Sequence, residues 1–120
     1  MKLSEIKNLL NAEVYAGADK LDKEIYEACG SDLMSDVLAF VKEKALLLTG
    51  LQNLQVLRTA EMMDMEVVVF VRGKVPNQDI IDYAEDNGMV IMTTEYPMYI
   101  SCGVLYSKGL TGRKEGVKLG

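Results

Sequence analysis

Two cations stand out by their isolation. Arg72 and Lys74 are the only Lys or Arg between residues 59 and 107, a stretch with eight acidic side chains (Glu61, Asp64, Glu66, Asp79, Asp82, Glu85, Asp86 and Glu95). They flank Gly73 directly after residues 67–71, a run with no polar position. A guanidinium and an ammonium on either side of a glycine suit an anion or a phosphate group. The cations supply charge-assisted hydrogen bonds, and the glycine lets backbone come close. The competing reading is an ion pair of Arg72 with Glu95 or Asp32 across a crevice.

Three further loops have related chemistry: Gly30, Ser31 and Asp32; Thr49, Gly50, Gln52 and Asn53; and Thr93, Thr94, Glu95 and Tyr96. Each is short and polar, which suits backbone cradling of a phosphate and equally suits any tight strand-to-helix turn. Arg72-Gly73-Lys74-Val75 lacks the GxxxxGK[ST] spacing and the chain has no GxGxxG, so nucleotide triphosphate hydrolysis is not expected. Asp32, Asp36 and Glu95 form a conceivable carboxylate set for Mg²⁺. The simpler reading of the first two is a helix N-cap followed by an exposed helical charge. Tyr96, where the last helix opens, can stack on a purine, whereas Tyr99 and Tyr106 read as interface or core. Met62, Met63 and Met65 suit an adaptable contact with a partner chain, or plain core filling. The candidate ligand-binding set is therefore Ser31, Asp32, Thr49, Gly50, Asn53, Arg72, Gly73, Lys74, Thr93, Thr94 and Tyr96. No catalytic residue, metal ligand or cofactor is expected.

Composition narrows the chemistry further. The chain has 120 residues, 49% of them hydrophobic and 26% charged, which is ordinary for one globular domain. Thirteen Lys and Arg against eighteen Asp and Glu leave a net charge of -5, which opposes a broad nucleic-acid surface. With no His, imidazole bases and His-built zinc sites are excluded. Cys29 and Cys102 form no CxxC pair and read as reduced, small core side chains. The N-terminus lacks the apolar run of a signal peptide and no apolar stretch approaches about 18 residues, so a cytoplasmic protein without membrane contact is expected.

The elements that must position these loops follow from periodicity. Residues 4–10 read as a helix capped by Ser4, and 13–16 and 24–29 as short strands around a turn at 17–20. A helix is expected from Asp32 to about Lys44, with Met34, Val37, Leu38 and Val41 on one face. Residues 45–49 and 67–71 are uninterrupted apolar runs, as expected of strands covered on both faces. Between them Asn53 caps a helix to about Met65. Asn77 caps the next, through Asn87, with Gly88 at its C-terminal stop. A strand at 89–93 precedes a last helix that Thr94-Glu95-Tyr96-Pro97 opens, with Pro near the first position, and that runs to about Tyr106 with Met98, Cys102 and Leu105 inward. Successive strand-loop-helix units predict a small three-layer α/β sandwich with a mainly parallel sheet over residues 1–110. Residues 111–120, rich in Lys, Arg and Gly, are expected to form a flexible basic tail.

The segments Ser31-Asp32-Leu33-Met34-Ser35-Asp36-Val37-Leu38-Ala39, Leu48-Thr49-Gly50-Leu51-Gln52-Asn53, Val56-Leu57-Arg58-Thr59-Ala60-Glu61 and Phe70-Val71-Arg72-Gly73-Lys74 resemble the stand-alone DRTGG-domain proteins. The likeness continues through Ile80, Ile81, Ala84 and Thr93-Thr94-Glu95-Tyr96, to about Leu110. Leu51 follows Thr49-Gly50 where the family name leads one to expect a second glycine. The family is similar to the N-terminal domain of HPr kinase/phosphorylase. The same domain is inserted in some phosphotransacetylases and CBS-containing pyrophosphatases. The resemblance implies an α/β domain without catalysis of its own that acts in regulation as a homodimer and senses a nucleotide or another small anion. It also implies an alternative role, as a ligand-free dimerisation adaptor for a kinase-like or hydrogenase-associated protein partner.

Overall fold

The computed structural model describes residues 1–40 and 44–111. In chain order the elements are α1 (Leu3–Leu9), β1 (Glu13–Ala16), β2 (Ala28–Gly30), α2 (Met34–Phe40), β3 (Leu46–Thr49), α3 (Leu54–Met62), β4 (Val67–Phe70), α4 (Gln78–Asp86), β5 (Val90–Thr93) and α5 (Met98–Ser107). They build one five-stranded sheet in the order β1-β5-β4-β3-β2. Strands β2 to β5 are parallel, and β1 closes the β5 edge antiparallel, with a register shift between Val14 and Ala16.

The apolar strands are buried on both faces because successive side chains alternate. Leu46, Leu48, Val67, Val69, Val90 and Met92 face Leu3 and Ile6 of α1 and Leu105 of α5. Leu47, Val68, Phe70 and Ile91 face Val37 of α2, Val56, Leu57 and Ala60 of α3, and Ile80 and Ala84 of α4. The result is the three-layer α/β sandwich expected from the pattern, with two helices on one face and three on the other.

The expected caps of two central helices form as local chemistry dictates. The Asn53 side chain accepts from the Val56 N–H at 3.0 Å, and that of Asn77 accepts from the Ile80 N–H at 3.1 Å. Gly88, with φ 67°, lets the chain leave α4 in a left-handed conformation.

Four expectations need correction. Ser4 lies inside α1 instead of capping it, and Lys2 holds the N-cap position. Of the strand expected at 24–29 only Ala28 and Cys29 pair along β3, joined by Gly30, while Glu24 makes an isolated bridge with Lys2 and the Ile25 N–H donates to the Met1 carbonyl. That antiparallel contact with the start of the chain draws residues 24 and 25 away from the sheet. The helix after Asp32 begins at Met34, because Asp32 bonds elsewhere; the part expected at 41–43 lies outside the described residues, as does the tail from residue 112. Finally, α5 starts at Met98, not Thr94, with Pro97 at its N-cap.

Candidate functional site

Parallel β2, β3, β4 and β5 end along one edge of the sheet, and the loops that follow them gather there. The loop after β4 reverses the chain through two consecutive left-handed residues, Arg72 at φ 69° and Gly73 at φ 72°. This conformation is free for glycine but costs a side-chain-bearing residue on the order of 1–2 kcal/mol. Two backbone hydrogen bonds to the loop after β5 hold it: Arg72 N–H to the Tyr96 carbonyl at 3.0 Å and Gly73 N–H to the Thr94 carbonyl at 2.8 Å.

From this turn the Arg72 side chain reaches back to the end of β3. Its guanidinium lies where a Cβ on Gly50 would sit, so the absence of a side chain at Gly50 is what admits it. Across from it the Asp32 carboxylate, carried on the β2–α2 connection, accepts from the Gly50 N–H at 2.6 Å and from the Thr49 hydroxyl at 3.1 Å. Its second oxygen stands 4.0 Å from an Arg72 Nη atom, and both side chains remain about half exposed. The Thr49 hydroxyl in turn accepts from the Leu51 N–H at 3.2 Å. Gln52 joins the rim by donating to the Lys74 carbonyl at 2.9 Å, and Lys74 itself is exposed.

The structure thus brings Asp32, Thr49, Gly50 and Arg72 into contact at the end of β3, with Gly73 and Lys74 following on the same turn. The remaining candidates go elsewhere. Ser31 bonds with both backbone groups of Leu33 and shapes its own turn. The side chain of Asn53 caps α3. Thr94 is buried, and its hydroxyl donates to the Leu10 carbonyl at 2.6 Å, tying the end of α1 to the chain just past β5. Tyr96 packs against the α1 and α5 side of the core, so it does not stack over the crevice.

Thr93 faces a second cleft, of about 320 Å³, on the β1 side of the Arg72-Gly73 turn, together with Asn11, Glu13, Tyr15, Gly73 and Glu95. Glu13 accepts from the Tyr15 hydroxyl at 3.1 Å, and this hydrogen bond is the main reason the phenol is pushed above its ordinary range. Sequence reasoning missed Asn11, Glu13 and Tyr15, since only the pairing of β1 with β5 brings them near Gly73. Gln52 was legible as a loop polar residue but had no sign of its bond to the next loop.

Burial pushes the Cys29 and Cys102 thiols up from their ordinary value, which keeps them protonated and poorly nucleophilic. Among the described residues no three His, Cys, Asp or Glu side chains converge to hold a metal ion, so Asp32, Asp36 and Glu95 do not form the carboxylate set considered from sequence. Asp32 is no N-cap either, because its carboxylate serves the end of β3.

No family model and no curated protein matches the sequence. A solved structure does match in shape: the CBS and DRTGG domains of the regulatory region of Clostridium perfringens pyrophosphatase, complexed with the activator diadenosine tetraphosphate. The TM-score is 0.73 at 14% identity, over 98% of this chain and 52% of that one. The fold recurs within a regulatory region. This chain spans about half of the larger protein chain it matches. Among the described residues no helix is long and apolar enough to cross a membrane.

Proposed function

We propose that the chain is a DRTGG-like, non-catalytic regulatory module, working as a homodimer, that binds a small anionic ligand of the nucleotide class in the crevice between the β3 and β4 loops. The observation that carries this reading is the placement of Arg72. Its backbone is held in the left-handed conformation, which costs a residue with a long side chain, at the carboxyl end of a buried parallel strand, and its guanidinium lies over the bare backbone of Gly50. Strain of this kind persists where the surroundings enforce it, and it collects at binding sites. Lys74, exposed and two residues further along the same turn, is the second cation of this loop. The shared fold with a regulatory region whose activator is a dinucleoside polyphosphate supports the ligand class.

The test is calorimetric titration of the purified protein with diadenosine tetraphosphate, ADP, pyrophosphate and sulfate, after a thermal-shift screen. A ligand at a hundred times its dissociation constant adds about 2.7 kcal/mol to stability. Arg72→Ala is expected to weaken the binding by roughly 1.5–3 kcal/mol, the scale of a hydrogen bond to a charged group. Unchanged affinity in that variant would remove the site assignment.

A second reading is favoured by α5. This helix carries no charged residue, yet Tyr99 is 86% and Ile100 45% exposed, and a Cβ on Gly103 would meet nothing. A helix that is apolar all round is normally buried. On this reading the chain is a dimerisation adaptor for a kinase-like or hydrogenase-associated partner, needs no small ligand, and covers α5 with a second copy of itself.

A further inference from the structure

The donors of the crevice are already engaged by the chain's own carboxylate. Gly50 has one N–H hydrogen and Thr49 one hydroxyl hydrogen, and the same oxygen of Asp32 takes both. The other carboxylate oxygen faces Arg72. Two acceptors cannot share those hydrogens at full strength. A phosphate group against Arg72 would also stand within a few ångström of a like charge.

We infer that Asp32 is a built-in counter-ligand: its carboxylate holds the anion position of the crevice in the unliganded chain and leaves when an anion binds. The inference rests on the crevice being the anion site proposed above. Departure is sterically open, since the Asp32 side chain is half exposed and rides on the short connection from β2 to α2. The Ser31 N–H anchors the N-terminal side of that connection to the Leu48 carbonyl of β3 at 3.0 Å, while beyond Asp32 only the Ser31–Leu33 turn leads into α2, so a shift at Asp32 passes toward the start of α2. A tethered carboxylate competes at high effective concentration, and it lowers the apparent affinity by the fraction of time it holds the site. The crevice is then tuned to anions that offer more than one carboxylate does. A phosphate chain qualifies, because it can engage Gly50, Thr49 and Arg72 together through several oxygens, whereas a simple carboxylate only exchanges like for like.

The experiment titrates wild type, Asp32→Ala and Arg72→Ala with pyrophosphate and with diadenosine tetraphosphate by calorimetry, and follows backbone amide signals of the wild type during the same titrations. Asp32→Ala is expected to bind at least tenfold tighter than wild type. In the wild type the amide signals of Gly50, Asp32 and Leu33 are expected to move together. Arg72-dependent binding with no gain in Asp32→Ala, or a Gly50 shift with residues 31–33 unmoved, overturns the counter-ligand and leaves the site standing. Absence of binding by both wild type and Asp32→Ala overturns the site itself. Should Asp32→Ala fail to fold, the wild-type amide shifts decide alone.

Discussion

Arg72 and Gly50 form a pair in which one residue needs a side chain and the other must lack one. Gly50→Ala places a methyl group where the guanidinium lies. The guanidinium is the half-exposed end of a flexible chain, so it can swing into solvent, and melting should report a loss below about 1 kcal/mol. Anion affinity should fall as far as in Arg72→Ala, since the cation is then no longer held over the β3 end. A Gly50→Ala variant that binds as well as wild type would show that the guanidinium position is incidental. Ser101 offers a contrasting case. Its hydroxyl is fully buried in α5 and has no hydrogen-bond partner. Ser101→Ala removes an unsatisfied polar group at almost constant shape and should stabilise the fold by about 1 kcal/mol, read as a rise of a few degrees in melting temperature.

The β2 strand and α5 approach closely at Gly30. A Cβ on Gly30 would stand 2.6 Å from the Cys102 sulfur and 3.1 Å from the Met98 sulfur. Gly30→Ala is therefore expected to lift α5 and cost roughly 1–3 kcal/mol in denaturant unfolding, and adding Cys102→Ala should restore most of it. Without that rescue, the contact would not be what fixes the helix. Gly30 also shows where local reading fails. A glycine before Ser31 and Asp32 looks like turn chemistry, but here it continues the strand because a helix lies against it. The uninterrupted apolar runs of β3, β4 and β5, and the Asn caps of α3 and α4, were legible because their causes are local. The bonding of Asp32, read as an N-cap, and of Thr94 was not legible because their partners are distant, 18 residues away at Gly50 and 84 at Leu10. The crevice could be drawn from sequence as a set of loops after strands. Which loop side chains turn into it depended on strand order and on long-range hydrogen bonds that no periodicity encodes.

At the scale of the whole molecule, the uncharged, exposed side of α5 contrasts with a chain of net charge -5. A dimer through α5 would bury at least about 1,000 Å² in total, and light scattering at micromolar concentration is expected to give twice the chain mass. Ile100→Asp should return a folded monomer. A wild-type monomer at that concentration would count against the homodimer in both functional readings. The methionines divide in the same way, with Met65 fully buried and Met62 74% exposed, so one fills the core and the other is available to a partner.

The pairing of β1 with β5 has a consequence for the order of assembly. Residues 13–16 find their hydrogen-bond partners only at residues 91–93, and the Leu10 carbonyl waits for Thr94. During synthesis β1 is thus made before the other strands of this sheet but seated only after β5. The parallel core of β2, β3 and β4 can gather sequentially beside it, but the sheet edge and the corner that braces the Arg72 turn close only once most of the chain exists.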